Sequence, residues 1–282
     1  EISNKGGFSM SFKSPAEVAK SACSAAVAKS SLEFYQMSLL GILAGAYIGF
    51  GGFLYTVVTQ DLSQYAGVGL SKLLGGASFT VGLMLVVIAG GELFTGNCLM
   101  PIGIMKGCVT AKGVAKNWIF VYFANLIGSI LLACLIFYSG LASELVGANA
   151  LKIASNKMAL AFGPAFFRGI LCNWLVVLAV WMSMAAEDIV SKIFSIFFPI
   201  MAFVASGFEH SVANMYFMSL GILLRHDEVL IAKAGLTDHA INALYLKGFF
   251  NNIIPVTLGN IVGGVLFVAV FYYLAYKDKL ND

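Results

Sequence analysis

Residues 201–220, MAFVASGFEHSVANMYFMSL, form an apolar run long enough to cross a bilayer, yet Ser206-Gly207, Glu209 and His210 interrupt its middle. Each ionisable group at mid-bilayer depth costs about 3 kcal/mol or more. Non-helical backbone is tolerated at that depth only where it lines a protein-enclosed, wet cavity. A broken helix beside a cavity is therefore expected here. Residues 81–105, VGLMLVVIAGGELFTGNCLMPIGIM, follow the same grammar, with Gly90-Gly91 ahead of Glu92 and Pro101 beyond Asn97. Two glycine-interrupted hydrophobic segments in matching places of two halves point to a transport pathway at the bilayer midplane.

The rest of the chain has the composition such a pathway needs. Of its 282 residues, 60% are hydrophobic and only 11% charged, with mean hydropathy +0.89. Several apolar runs exceed the ~18 residues that mark a spanning helix, so a multi-pass membrane protein is expected. Net charge +3 with no basic run argues against a nucleic-acid partner. The five cysteines show neither metal nor disulfide spacing and read as small core residues. No cofactor or metal set is expected, and no apolar stretch precedes Ser14 to serve as a cleavable signal.

Read in order, residues 1–31 are a polar arm followed by a weakly amphipathic helix at the membrane surface, opened by the capping box Ser14-Pro15-Ala16-Glu17. Residues 32–276 form the transmembrane domain, and 277–282 a charged tail. Spans are expected at 37–58, 70–90, 118–138, 166–184, 193–224 and 253–276. The second breaks over 90–97 and resumes at 98–104; the fifth breaks over 206–210. Polar loops are expected at 139–156 and 225–247. The expected fold class is thus an all-α membrane protein with six transmembrane helices, two of them broken.

The halves, about 37–138 and 166–276, repeat. Gly41-Ile42-Leu43-Ala44 matches Gly169-Ile170-Leu171-Cys172, and Asn125-Leu126-Ile127-Gly128 matches Asn260-Ile261-Val262-Gly263. Three spans per half make the repeat inverted. Six spans place both termini on one side, and that side carries ten of the 17 Lys/Arg, which makes it cytoplasmic in a cell membrane.

Three function classes fit a broken-helix membrane protein: an anion channel or proton-coupled carrier, a neutral small-solute facilitator, and an intramembrane enzyme. The paired Asn-Pro-Ala signatures of water channels are missing. His210 with Glu209 is the sole acid/base candidate for catalysis, without nucleophile or metal set. Within the breaks, Glu92 and Glu209 read as supports for loop backbones whose freed N–H groups need acceptors. Glu209 also reads as a charge partner for His210. Asn97 and Asn214 read as caps, as does Thr95 on one of two readings. His226 and His239 read as solvated.

Several long motifs resemble the formate/nitrite transporter family: Glu92-Leu93-Phe94-Thr95-Gly96-Asn97, Lys116-Asn117-Trp118, Gly169 to Val176 (GILCNWLV), Ala205 to Met215 (ASGFEHSVANM) and Ile254 to Asn260 (IPVTLGN). The resemblance runs from Lys13 to Tyr276. It implies an aquaporin-like six-helix protomer in a homopentamer, with one pore per protomer for small monovalent anions such as formate, nitrite or hydrosulfide. It implies a pore centre of His210, Thr95 and Asn173. The outer hydrophobic constriction it implies is Phe79, Leu83 and Phe203, and the inner one Leu93, Val176 and Phe94. Lys157 corresponds to the outer-vestibule lysine. Glu92 and Gly96 look more like the nitrite and hydrosulfide branches than formate channels.

A bare anion crossing an apolar constriction loses several kcal/mol of solvation. Neutralising a carboxylate of pKa near 4 at neutral pH costs ~4 kcal/mol. The two costs are comparable, so a lone histidine between hydrophobic gates could couple proton and anion passage. Lys157 would concentrate anions at the entrance.

Overall fold

The computed structural model describes residues 12–280, and among them the regular structure is helical apart from one isolated bridge between Phe12 and Ala186. Most of the polar arm, residues 1–11, and the last two tail residues lie outside the described residues, as does the side chain of His239. Helix α1 (Pro15–Ser30) starts on the expected capping box: the Ser14 hydroxyl accepts from the Glu17 N–H and the Glu17 carboxylate accepts from the Ser14 N–H. Its apolar stripe, Val18, Ala19, Ala22, Cys23 and Ala26, is buried against the rest of the chain rather than left open.

Helix α2 (Phe34–Thr59) runs antiparallel to the descending segment α3 (Leu62–Phe79), α4 (Val81–Met84) and a π-helical turn, Leu85–Gly90. After the break come two short helices, α5 (Phe94–Asn97) and α6 (Pro101–Lys106), and then the long α7 (Ala111–Tyr138). Residues 139–156, expected as a loop, instead contain helix α8 (Glu144–Met158). The second half follows as α9 (Phe162–Ala185), α10 (Ile189–Ala205), the break, and α11 (Ser211–Leu224). The expected loop 225–247 contains α12 (Glu228–Ala234) and α13 (Asp238–Ala243). The chain closes with α14 (Leu246–Gly264), a second π turn, Val265–Val270, and α15 (Phe271–Leu280). The helix persists through most of the expected tail, and the Lys106 ammonium donates to the Leu280 carbonyl.

Five helical segments among the described residues are long and apolar enough to cross a bilayer: Phe34–Thr59, Leu62–Gly90, Ala111–Tyr138, Phe162–Ala185 and Leu246–Leu280. The remaining expected span is divided between Ile189–Ala205 and Ser211–Leu224, each too short to cross alone.

The repeat is carried by matched close packing. α2 packs on α7, and α9 on α14. A methyl group on Gly128 would collide with the Ile42 carbonyl, and one on Gly263 with the Ile170 carbonyl. These four residues are those of the two repeated tetrapeptide pairs. Helix backbones in contact at small residues are how spans pack where lipid offers no hydrophobic drive.

Candidate functional site

Each break starts at a glycine with left-handed backbone, Gly90 (φ 91°) and Gly207 (φ 74°), a conformation that a side chain resists. Loss of helix frees backbone groups that must find partners inside the protein. At the first break the Glu92 N–H donates to the Leu40 carbonyl (3.1 Å) and the Phe94 N–H to Asn125 Oδ1 (2.9 Å). Asn125 Nδ2 in turn donates to the carbonyls of Gly41 and Glu92, both at 2.8 Å. The second break repeats this. The Glu209 N–H donates to the Arg168 carbonyl (3.2 Å) and the Ser211 N–H to Asn260 Oδ1 (2.9 Å). Asn260 Nδ2 donates to the carbonyls of Gly169 (2.8 Å) and Glu209 (2.9 Å).

The glutamates therefore do not accept the freed N–H groups, contrary to the expectation for Glu92 and Glu209; two buried asparagines and two helix carbonyls do. Each glutamate instead closes a second matched network. Glu92 pairs with Lys29 (2.5 Å) and accepts from Asn97 Nδ2 (2.8 Å), which also donates to Asn117 Oδ1 (2.8 Å). Asn117 Nδ2 donates to the Lys29 carbonyl at 3.2 Å. Glu209 pairs with Lys157 (3.1 Å) and accepts from Asn214 Nδ2 (2.6 Å), which also donates to Asn252 Oδ1 (2.8 Å). Asn252 Nδ2 donates to the Lys157 carbonyl at 2.8 Å.

Asn97 and Asn214 thus bridge carboxylates rather than cap helices, and Glu209 partners Lys157 rather than His210. Lys157 lies in the last turn of α8, not in a loop. Lys29, Asn117 and Asn252 escaped the reading of the sequence as site residues. The repeat contains the signal for Lys29: Gly41 and Gly169 are 128 positions apart (169 − 41), and so are Lys29 and Lys157 (157 − 29).

Between the breaks, Thr95 Oγ1 lies 2.7 Å from His210 Nε2, and both residues are buried. His210 Nδ1 accepts from the Ala213 N–H at 3.1 Å and so caps α11. A backbone N–H can only donate, which assigns the lone pair to Nδ1 and the ring proton to Nε2. Nε2–H then donates to Thr95, and among the described residues no acceptor takes the Thr95 hydroxyl proton. Thr95 lies inside α5, not at its cap. Asn173 sits behind it, Nδ2 donating to the Thr95 carbonyl (3.1 Å) and the Asn260 carbonyl (2.7 Å). Its Oδ1 and the Ser211 hydroxyl are buried with no hydrogen-bond partner.

Cavities flank this centre. One, of about 90 Å³, opens past Lys157 and Glu209 to Phe79, Phe203 and His210. The other, of about 360 Å³, opens past Lys29 and Glu92 to Leu83 and Leu93. Between them is a void of only about 10 Å³ lined by Phe79, Leu83, Leu93, Val176, Phe203 and His210, barely space for one water. Five of the six residues of the two implied constrictions thus line a single small chamber. Phe94 does not. It packs edge-on against Tyr122 (4.9 Å between centroids) and Trp118 (5.9 Å), and lines none of these cavities. Phe79 and Phe203 meet edge to face at 5.9 Å, and Phe203 lies 5.9 Å from His210. His226 is exposed. No cluster that could hold a metal occurs among the described residues.

A sequence profile of the formate/nitrite transporter family matches residues 16–274. The chain is 44% identical to a probable formate transporter of Methanothermobacter thermautotrophicus, over 95% of this chain and 99% of that protein. It is 37% identical to the formate channel FocA of Escherichia coli K12, over 95% of each. Among solved structures, an FNT family ion channel superposes with TM-score 0.81 at 30% identity, covering 92% of this chain and 98% of the other. A pentameric formate channel with formate bound superposes with TM-score 0.77 at 39% identity, covering 86% and 98%.

Proposed function

From the premise that this chain belongs to the formate/nitrite transporter family, and is a membrane transport protein rather than an enzyme, we propose that it conducts formate past His210 and Thr95. The observation that carries the proposal is the 2.7 Å approach of Thr95 to His210 beside a chamber otherwise lined by apolar side chains. A carboxylate passing this constriction, which must widen to admit it, loses several kcal/mol of solvation. It recovers part of that from the two donors the pair can turn toward it, the Thr95 hydroxyl and the His210 Nε2–H. The helical N-terminus of α11 adds a favourable dipole at the same level.

The same geometry supports a proton linkage. A second proton on His210 must go to Nδ1, whose lone pair holds the Ala213 N–H. Protonation therefore breaks a cap, and an arriving anion offsets that loss by pairing with the imidazolium. The proton is taken up when the anion is present and released when it leaves. The relatives named above are formate channels or transporters at 37–44% identity over nearly the whole chain, which outweighs the lean toward nitrite or hydrosulfide drawn from Glu92 and Gly96. By the same kinship the assembly is a homopentamer. The excess of Lys on the Lys29 face makes that face cytoplasmic, with both termini.

The experiment is uptake by proteoliposomes of labelled formate, nitrite, hydrosulfide and glycerol across a range of pH. Formate is expected to enter fastest and more rapidly at acid external pH. Glycerol flux equal to formate flux, independent of pH, would establish the neutral facilitator instead.

A further inference from the structure

The matched networks leave out one of the cations lining the Lys29-side cavity. Lys192, in the first turn of α10, lines the 360 Å³ cavity with Lys29, Glu92 and Leu93. The charge of Lys29 is matched by Glu92 at 2.5 Å, whereas Lys192 makes no ion pair among the described residues. Nor does the stability of α10 explain a cation there. The first turn of a helix favours anions, and Asp188 already caps it, accepting from the Ser191 N–H at 2.9 Å. The opposite cavity has no counterpart: Lys157 and Glu209 are its charged lining residues, and they are paired. By formal charge the Lys29-side cavity carries one unmatched positive charge and the Lys157-side cavity none.

We propose that Lys192 is the anion-collecting group of the Lys29-side vestibule, so that a small monovalent anion loads the pathway at lower concentration from that face than from the other. The proposal rests on the reading of the protein as an anion pathway. Lys192 touches neither the chamber nor the Thr95–His210 pair, so it raises the local anion concentration at the mouth without entering the passage step. A single charge facing a wet cavity, screened over a Debye length of ~8 Å, changes local anion occupancy roughly two- to fivefold, less at high salt.

The test uses right-side-out and inverted membrane vesicles from cells making the full chain, with initial rates of labelled formate flux from each face. Lys192→Gln is expected to raise the half-saturating formate concentration two- to fivefold from the Lys192 face alone. Maximal rate and the other face should stay unchanged, Lys192→Arg should behave as the unmodified protein, and high salt should abolish the difference. An equal shift from both faces, no shift, or a lower maximal rate with unchanged half-saturation overturns the proposal and leaves the anion pathway standing. Absence of saturable formate flux in the unmodified protein overturns the anion pathway itself.

Discussion

Leu93 and His210 occupy equivalent places in the two halves. Each follows a glutamate, precedes a short helix and has nearly the same backbone: φ −110° and ψ 120° at Leu93, φ −106° and ψ 116° at His210. Each glutamate pairs with a lysine from the last turn of a preceding helix, and each loop is stitched by an asparagine from a distant span. Yet one position presents an isobutyl group to the chamber and the other an imidazole. The frame is duplicated while the side chain aimed into the gap is not. Folding requirements act on the frame in both halves alike, and the side chain that each break turns into the chamber is where function is free to differ.

The largest effect expected from disturbing the frame comes from Glu209→Gln. It strands Lys157, whose side chain is 16% exposed, and breaking a buried ion pair from one side costs about 3–5 kcal/mol. Glu92→Gln should cost less, because Lys29 is 27% exposed and can turn to water. Thermal unfolding of the two variants in one detergent compares them; equal losses would show that the two networks are energetically interchangeable. Next come Asn125→Ala and Asn260→Ala. Each removes one acceptor and two donor contacts at a break, about 1–3 kcal/mol for the buried groups left unpaired. Here the two halves should agree, and unequal losses would break the symmetry claimed for the stitching. Smallest is Thr95→Val, which leaves His210 Nε2–H without its acceptor. Formate flux should fall about fivefold, equivalent to ~1 kcal/mol, with no change in assembly.

Much of this frame could be read from the chain itself. Both breaks stand out because glycines and ionisable groups are costly inside an apolar run. The inverted repeat shows in the matched tetrapeptides and three spans per half, whereas the grouping of Thr95, Asn173 and His210 came only with the family resemblance. Helix α1 was legible from its capping box, but its partner α8 was not. α8 is short and rich in Ala, Asn and Lys, and it starts at Glu144 with a positive φ and no side-chain cap, so neither hydropathy nor a cap motif marks it. The acceptors of the freed backbone groups were misassigned to Glu92 and Glu209 because proximity in sequence favours them. Asn125 and Asn260 lie on other spans, and only the packing of α7 and α14 brings them to the breaks. Phe94 illustrates the same limit: its neighbour Leu93 faces the chamber, while Phe94 turns toward Tyr122 and Trp118.

The central claim is that the side chain each break turns into the chamber, Leu93 in one half and His210 in the other, sets the chemistry of passage. His210→Leu makes the second break present what the first presents, and formate flux across its pH range in proteoliposomes is the direct measurement. The expected result is a correctly assembled protein in which flux and its acid stimulation are both lost. Flux retained with the same dependence on pH would contradict the account.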